Sequence, residues 1–266
     1  MSQYAIDYPR YAWQVLNGSR TNHERHFAQL RHRDVAPLVD TTRSLRVLDL
    51  ANGRLRPQYT ILKAAGYQVY GIDLANQPTS TRVDLSYRLA RWIFNRTLDV
   101  PAQALADQTL ICGDVGVLPF PDSSFDLVTS IAAFEHFLNV PAVLAELVRV
   151  VRPGGLVWVC IHLFTSPSGG HNLSFAEVPL RKVPPGVDAW DHLRRRRLPF
   201  HVPLNEWRKS QYLAEFARHF EIVKDYCAVL EGECLLTSEI EAELSAYSRD
   251  ELTCGAYAIL ARKSAN

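Results

Sequence analysis

The chain has 266 residues, 47% of them hydrophobic, with a formal net charge of +1 at pH 7. That length carries one full core and a smaller cap, and so balanced a charge gives no global electrostatic case for nucleic acid or an acidic membrane as partner. The start, MSQYAIDYPR, has no signal-peptide pattern, and the longest apolar run, Leu156 to Phe164, is too short for a bilayer.

Five cysteines, Cys112, Cys160, Cys227, Cys234 and Cys254, form no CxxC pair. Cys112 and Cys160 fall in expected core strands. Packing thiols in a reducing, cytoplasmic setting are therefore expected rather than disulfides or zinc ligands.

Residues 1–40 combine Tyr4, Tyr8, Tyr11 and Trp13 with a basic stretch from Arg20 to Arg33 and read as amino-terminal cap helices. The next stretch, Arg46-Val47-Leu48-Asp49-Leu50-Ala51-Asn52-Gly53, reads as a buried strand entering a tight turn. Asp49 is out of character there, because a carboxylate near the end of a buried strand costs several kcal/mol, a cost that only a ligand, a donor or an edge position offsets. The strand-end edge of an open parallel sheet is where ligands bind.

A helix over 58–65 closes at Gly66. The second strand, Gln68 to Asp73, again ends in an acid, about twenty residues on, where dinucleotide-type folds place a ribose-binding carboxylate. Both acids could equally serve as helix N-caps. Val83 to Arg96 has helical spacing, with Leu85, Leu89, Ile93 and Trp92 on one apolar face. Thr109 to Cys112 is the third strand, and Asp114 follows it.

Between 113 and 131, Pro119 and Pro121 hold an extended loop, Asp122 to Ser124 turns, and Phe125 to Val128 begins a fourth strand. Phe134-Glu135-His136-Phe137 precedes a helix over 140–151 that stops at Arg152-Pro153-Gly154-Gly155. Leu156 to Leu163 is the fifth strand. The alternation predicts an α/β, doubly wound parallel sheet.

The motifs VLDLANG, VYGID, GDVGVLPFPDSSFDLV, FEH and ELVRVVRPGGLVWV, in that order, resemble the class I S-adenosylmethionine-dependent methyltransferases. The resemblance covers roughly 45–163, with a tail reaching Lys263. It implies a Rossmann-like, mostly parallel seven-stranded sheet and S-adenosyl-L-methionine as cofactor. Asp49 and the turn Ala51, Asn52 and Gly53 match the loop that approaches the methionine end. Asp73, with Leu74, matches the ribose-binding acid, and Asp114 and Val115 match the pair that meets adenine. Ser130 and Ile131 fall where donor faces acceptor, with Phe134, Glu135 and His136 lining the same mouth. The chain departs from the family's three alternate glycines, carrying Ala51, Gly53 and Leu55, and a bulky Leu55 has to point away from the cofactor.

After the core at 45–163, the segment 164–204 is long, irregular and rich in Pro, Gly, His and Arg. It reads as an acceptor-side lid within a single domain of 1–266. Arg194 to Arg197 is a solvated face or an anion clamp. Residues 205–220 form an amphipathic helix, and 220–226 and 256–261 are strands that the resemblance makes an antiparallel edge pair, with a short helix over 238–248 between them; together 205–263 complete the domain.

Methyl transfer needs alignment, and an oxygen acceptor also needs a base, for which His136, His162 and His171 are the candidates. No metal is expected, since His162, His171, Asp191 and His192 lack diagnostic ligand spacing. The expected activity is methyl transfer to a small-molecule or glycan-like acceptor, O- or C-directed, with no nucleic acid or membrane partner. The alternative is a catalytically silent S-adenosylmethionine- or nucleotide-binding partner protein. An NAD-dependent oxidoreductase is disfavoured by the missing GxGxxG turn.

Overall fold

Val47, Leu48 and Leu50 are fully buried, and that apolar run, interrupted only by Asp49, makes β1 (Arg46–Leu50) a strand covered on both faces. The computed structural model describes residues 14–40, 42–76, 81–98, 100–101, 109–171, 180–183, 185–200 and 202–265. Tyr4, Tyr8, Tyr11 and Trp13 lie outside them.

The strands are β1, β2 (Gln68–Ile72), β3 (Leu110–Ile111), β4 (Phe125–Ile131), β5 (Val151–His162), β6 (Glu221–Leu230) and β7 (Cys254–Arg262). They form a seven-stranded sheet in the order β3-β2-β1-β4-β5-β7-β6. β1 pairs in parallel with β2 and β4, β2 in parallel with β3, and β7 runs antiparallel to β5 and β6. This is the doubly wound sheet that the alternation predicts, with the mostly parallel, Rossmann-like order and antiparallel edge that the family resemblance implies.

The chain separates into two compact units, Met1–Thr129 with Val150–Arg152, and Ser130–Arg149 with Pro153–Asn266. In the first unit, α1 (Ser19–Val35) buries Thr21, Glu24, Phe27, Arg31 and Asp34, so much of its inner stripe is polar. α2 (Pro57–Ala64) starts with Pro at its first turn and buries Tyr59 and Leu62. Gly71 in β2 has no room for a side chain, since a Cβ there would lie 2.8 Å from Leu110 and 3.1 Å from Asn52 and Tyr59.

α3 (Thr81–Thr97) confirms the predicted helix but not its buried face. Leu85, Leu89 and Trp92 are exposed, while Phe94 and Leu98 are buried with Val15. The reason is a second i,i+4 apolar pair that the stronger-looking Leu85-Leu89 pair hides. Trp92 is screened by the Arg96 guanidinium, 4.2 Å from its ring centroid. Cys112 is also corrected: β3 is a two-residue edge strand, and the thiol beyond it is exposed.

In the second unit, α4 (Val140–Val150) carries the buried Val143, Leu144 and Leu147. The helix stops before Arg152 as expected, but β5 starts at Val151 and runs through Arg152 to Gly155 instead of starting at Leu156. Gly154 takes a φ of 71°, and the Gly154 and Lys263 amides donate to Lys263 and Gly155 carbonyls, extending the ladder. α5 (Asp191–Arg194) follows, then α6 (Lys209–Ala217), α7 (Ser238–Glu243) and α8 (Arg249–Thr253). α6 is shorter than its apolar pattern because its N-cap is Arg208, and α8 replaces the end of the predicted 238–248 helix because Ser248 caps a new start.

Candidate functional site

Three acids end three neighbouring parallel strands of the first unit. Asp49 lies one residue before the end of β1, Asp73 directly follows β2, and Asp114 follows β3. The register Leu50↔Ile72 and Ile72↔Ile111 brings those ends level.

The turn after β1 is built on left-handed backbone, with Ala51 at φ 56°, Gly53 at 64° and Arg56 at 55°. Leu55 is half-buried within it. The Gly53 amide donates to Asp73 Oδ2 at 2.7 Å, and Asn52 Oδ1 accepts from Asn76 at 3.2 Å. The two acid-bearing strand ends are thus tied together through the glycine turn. Leu74 is exposed, Asp114 is exposed and accepts from the Gly116 amide at 2.8 Å, and Val115 is buried.

Asp49 is buried and its Oδ2 has no hydrogen-bond partner among the described residues. Burial raises its carboxyl to about 7, with Glu24 and Asp73 adding repulsion, while Arg31 and the Tyr59 backbone pull the other way. Arg31 is itself pushed down to about 10 by burial. It donates to Gln58 at 2.8 Å, and Gln58 in turn donates to Glu24 at 2.7 Å. Sequence reading missed this buried network; its only signal was Glu24, Phe27, Arg31 and Asp34 recurring at helical spacing in α1.

The second unit gathers Glu135 with the three candidate histidines. Phe134–His136 is a 3-10 turn after β4, His162 ends β5, and His171 lies in the segment beyond it. Ser130 is buried and Ile131 half-buried just before this turn. The His171 ring centroid lies 4.7 Å from that of His136 and 4.6 Å from that of His162. Glu135 Oε1 lies 3.9 Å from Nε2 of both His136 and His171.

Asn205 fixes the turn, donating to the Phe134 and Phe137 carbonyls at 2.7 and 3.0 Å, and Tyr212 donates to Asn205 at 2.8 Å. His136 Nδ1 lies 2.9 Å from the Pro203 carbonyl. His162 Nε2 lies 2.7 Å from Ser168 Oγ, which donates to the buried Glu231. Glu231, Ser168 and Asn205 were not singled out from sequence, where nothing sets them apart from ordinary polar residues.

Burial raises Glu135 to about 8; its own amide and that of His162 favour the charged form but do not meet hydrogen-bond geometry. Burial lowers His136 and His162, and together with the neighbouring histidines pushes His171 down to about 2. Imidazoles this hard to protonate stay neutral at pH 7 and act as hydrogen-bond or metal partners.

The segment predicted as a lid is anchored where it is described. Thr165, Ser166 and Ser168 are buried, as are Trp190, Asp191 and His192. The Trp190 indole donates to the Thr165 and Leu252 carbonyls at 3.1 and 3.2 Å, and a Cβ on Gly169 would collide with the Leu163 and Phe164 carbonyls. Each arginine of the run has a carboxylate: Arg194 pairs with Glu243, Arg196 with Glu206, and Arg195 and Arg197 with Asp188. The run is a paired surface rather than an anion clamp.

A family model described as a methyltransferase domain matches residues 48–159. A demethylmenaquinone methyltransferase of Streptomyces griseus is 29% identical over 163 residues, covering 61% of this chain and 61% of that protein. A malonyl-[acyl-carrier protein] O-methyltransferase of Serratia marcescens is 40% identical over 114 residues, covering 42% and 38%. The chain spans about half the length of the curated relatives it matches first. Among solved structures, an S-adenosylmethionine-dependent methyltransferase from Mesorhizobium loti shares the fold, with a TM-score of 0.50 at 19% identity over 88% of this chain and 97% of that one.

Proposed function

Residues 48–159 belong to the class I S-adenosylmethionine-dependent methyltransferases, and from that premise we propose that the chain transfers a methyl group to a small-molecule or glycan-like acceptor at oxygen or carbon. The observation that carries the reading is the level row of Asp49, Asp73 and Asp114, with Gly53 bonded to Asp73 and one Asp49 oxygen buried without a partner. Those residues fit the cofactor. A cationic group near Asp49 relieves a buried charge that Arg31 and the Tyr59 backbone offset only in part.

In this reading Asp49, Ala51, Asn52 and Gly53 hold the methionine end, Asp73 and Leu74 the ribose, and Asp114 and Val115 the adenine; in the second unit Ser130 and Ile131 are the acceptor-side candidates. The cofactor supplies an already activated methyl group as a sulfonium. The chain's own task is alignment, which contributes several kcal/mol of the barrier. His136, His162 and His171 are proposed to line the acceptor side as neutral imidazoles, with the His136 ring accepting a hydrogen bond from the acceptor's hydroxyl.

Support for a small acceptor comes from a relative that by name acts on demethylmenaquinone, and support for transfer to oxygen from one that by name is a malonyl-[acyl-carrier protein] O-methyltransferase. The net charge of +1 gives no phosphate-tracking face. Five free thiols support a cytoplasmic setting; among the described residues no helix is long and apolar enough to cross a membrane.

The test is label transfer from methyl-labelled S-adenosylmethionine into small-molecule extracts, with mixed RNA and DNA oligomers in parallel. Label in an extract component and none in the oligomers is expected. Label in nucleic acid would overturn the acceptor class. Cofactor binding without any transfer would favour the silent partner protein.

A further inference from the structure

Both carboxylate oxygens of Glu135 and Nε2 of His171 are buried without a hydrogen-bond partner among the described residues, and Glu135 is only 1% exposed. A carboxylate so placed costs several kcal/mol unless something pairs with it. The His136 and His171 Nε2 atoms, each 3.9 Å from Glu135 Oε1, are too far for a hydrogen bond in either protonation state. One ligand atom from each of Glu135, His162 and His171 lies within 4.8 Å of the other two. A single cation among them gives the buried Glu135 carboxylate and the His171 imidazole a shared partner.

We propose that Glu135, His162 and His171 bind a divalent transition metal ion of the Zn2+ type. The donor set decides the class: Mg2+ and Ca2+ take oxygen ligands, whereas two imidazoles with one carboxylate suit Zn2+ and its neighbours. Bonds of about 2.1 Å place tetrahedral neighbours about 3.4 Å apart, so the three donors close inward by side-chain rotation when the ion enters. The surroundings are those of a ligand site. Glu231, acting through Ser168, orients the His162 ring from outside, the role outer carboxylates play at metal-bound imidazoles. His171 is held at a left-handed φ of 49°, which sets its side chain at the cluster.

Three protein ligands leave one position open, and an oxygen donor fills it. A hydroxyl or enol of the methyl acceptor bound there becomes more acidic, which is what an oxygen or carbon nucleophile needs. This use of the ion rests on the methyl-transfer reading; binding of the ion does not.

Chelator-treated protein is dialysed against Zn2+ and, separately, Co2+, and bound metal is counted per chain. Glu135→Gln and His171→Asn are compared with His219→Asn, whose histidine faces Glu215 away from the cluster. Asparagine tolerates the left-handed backbone at 171, so that variant keeps the fold if Glu135→Gln does not, and circular dichroism reports folding for each.

One ion per chain in the wild type and in His219→Asn is expected, with affinity at least tenfold lower in the two cluster variants and the visible Co2+ absorption of a low-coordinate site lost. Metal content well below one per chain, or equal binding in all four proteins, overturns the inference. Calorimetry with S-adenosylmethionine on the chelated protein separates the two readings. Cofactor binding without metal binding sinks the ion alone, and metal binding without cofactor binding sinks methyl transfer alone.

Discussion

Asp49 shows how one residue links the sheet to its ligand. Burial holds its carboxyl near 7 in the free protein even though Arg31 pulls toward the charged form. A cofactor cation that binds the ionised carboxylate therefore competes with a proton below that value. Affinity for S-adenosylmethionine is predicted to rise by about tenfold per pH unit from pH 5 to 7, the linkage expected of one proton released on binding. Calorimetry across that range checks it, with Asp49→Asn flattening the slope. A wild-type affinity independent of pH from 5 to 7 would place the cofactor's charge elsewhere. Much of this residue was visible in sequence, where an acid interrupts an apolar strand. Its partner Arg31 was not, because a basic stretch normally marks a solvated helix face.

Between elements, Glu251 joins two helices of the second unit. It completes the capping box of α8 with Ser248 and accepts from Arg208, the N-cap residue of α6, at 2.8 and 2.6 Å. Arg208 chiefly, against the opposing effect of burial, holds Glu251 below the usual carboxylate range. Glu251→Gln is predicted to lower stability by about 1–2 kcal/mol at pH 7 in urea unfolding. A depressed carboxylate contributes fully above its unfolded value, near 4, and loses that contribution as pH falls through the folded one. The two unfolding curves should therefore converge in acid. Equal stability at pH 7 would show that the pair is screened out by solvent.

Element boundaries show why periodicity alone was incomplete. The strands β1, β2, β4 and the middle of β5 were legible as apolar runs, and their order as alternation with helices. The buried face of α3 and the continuation of β5 through Gly154 were not, because each is set by a contact distant in sequence, Val15 against Phe94 and Lys263 against Gly154, and the start of α8, set by the Ser248–Glu251 capping box, was hidden inside a longer helical run.

At the scale of the whole molecule, the candidate site had the same split legibility. Its acids lie at strand ends, where the sheet's geometry makes position readable from sequence. The Glu135 and histidine cluster draws on a turn, a strand end and a loop 36 residues apart from first to last, and no spacing rule connects them. The histidines were identifiable as a set only by residue type. That Glu135 sits unpaired among them followed from burial, which the sequence FEH does not encode.

Titration calorimetry of S-adenosylmethionine against the wild type and Asp73→Ala tests the central claim, that the acid-tipped edge of this sheet holds the methyl donor. Charge-assisted hydrogen bonds are each worth roughly 1.5–3 kcal/mol, so the wild type should bind and the variant should lose about tenfold to a hundredfold in affinity while remaining folded. No heat and no thermal shift with S-adenosylmethionine or its demethylated product in the wild type, or equal affinity in Asp73→Ala, would contradict it.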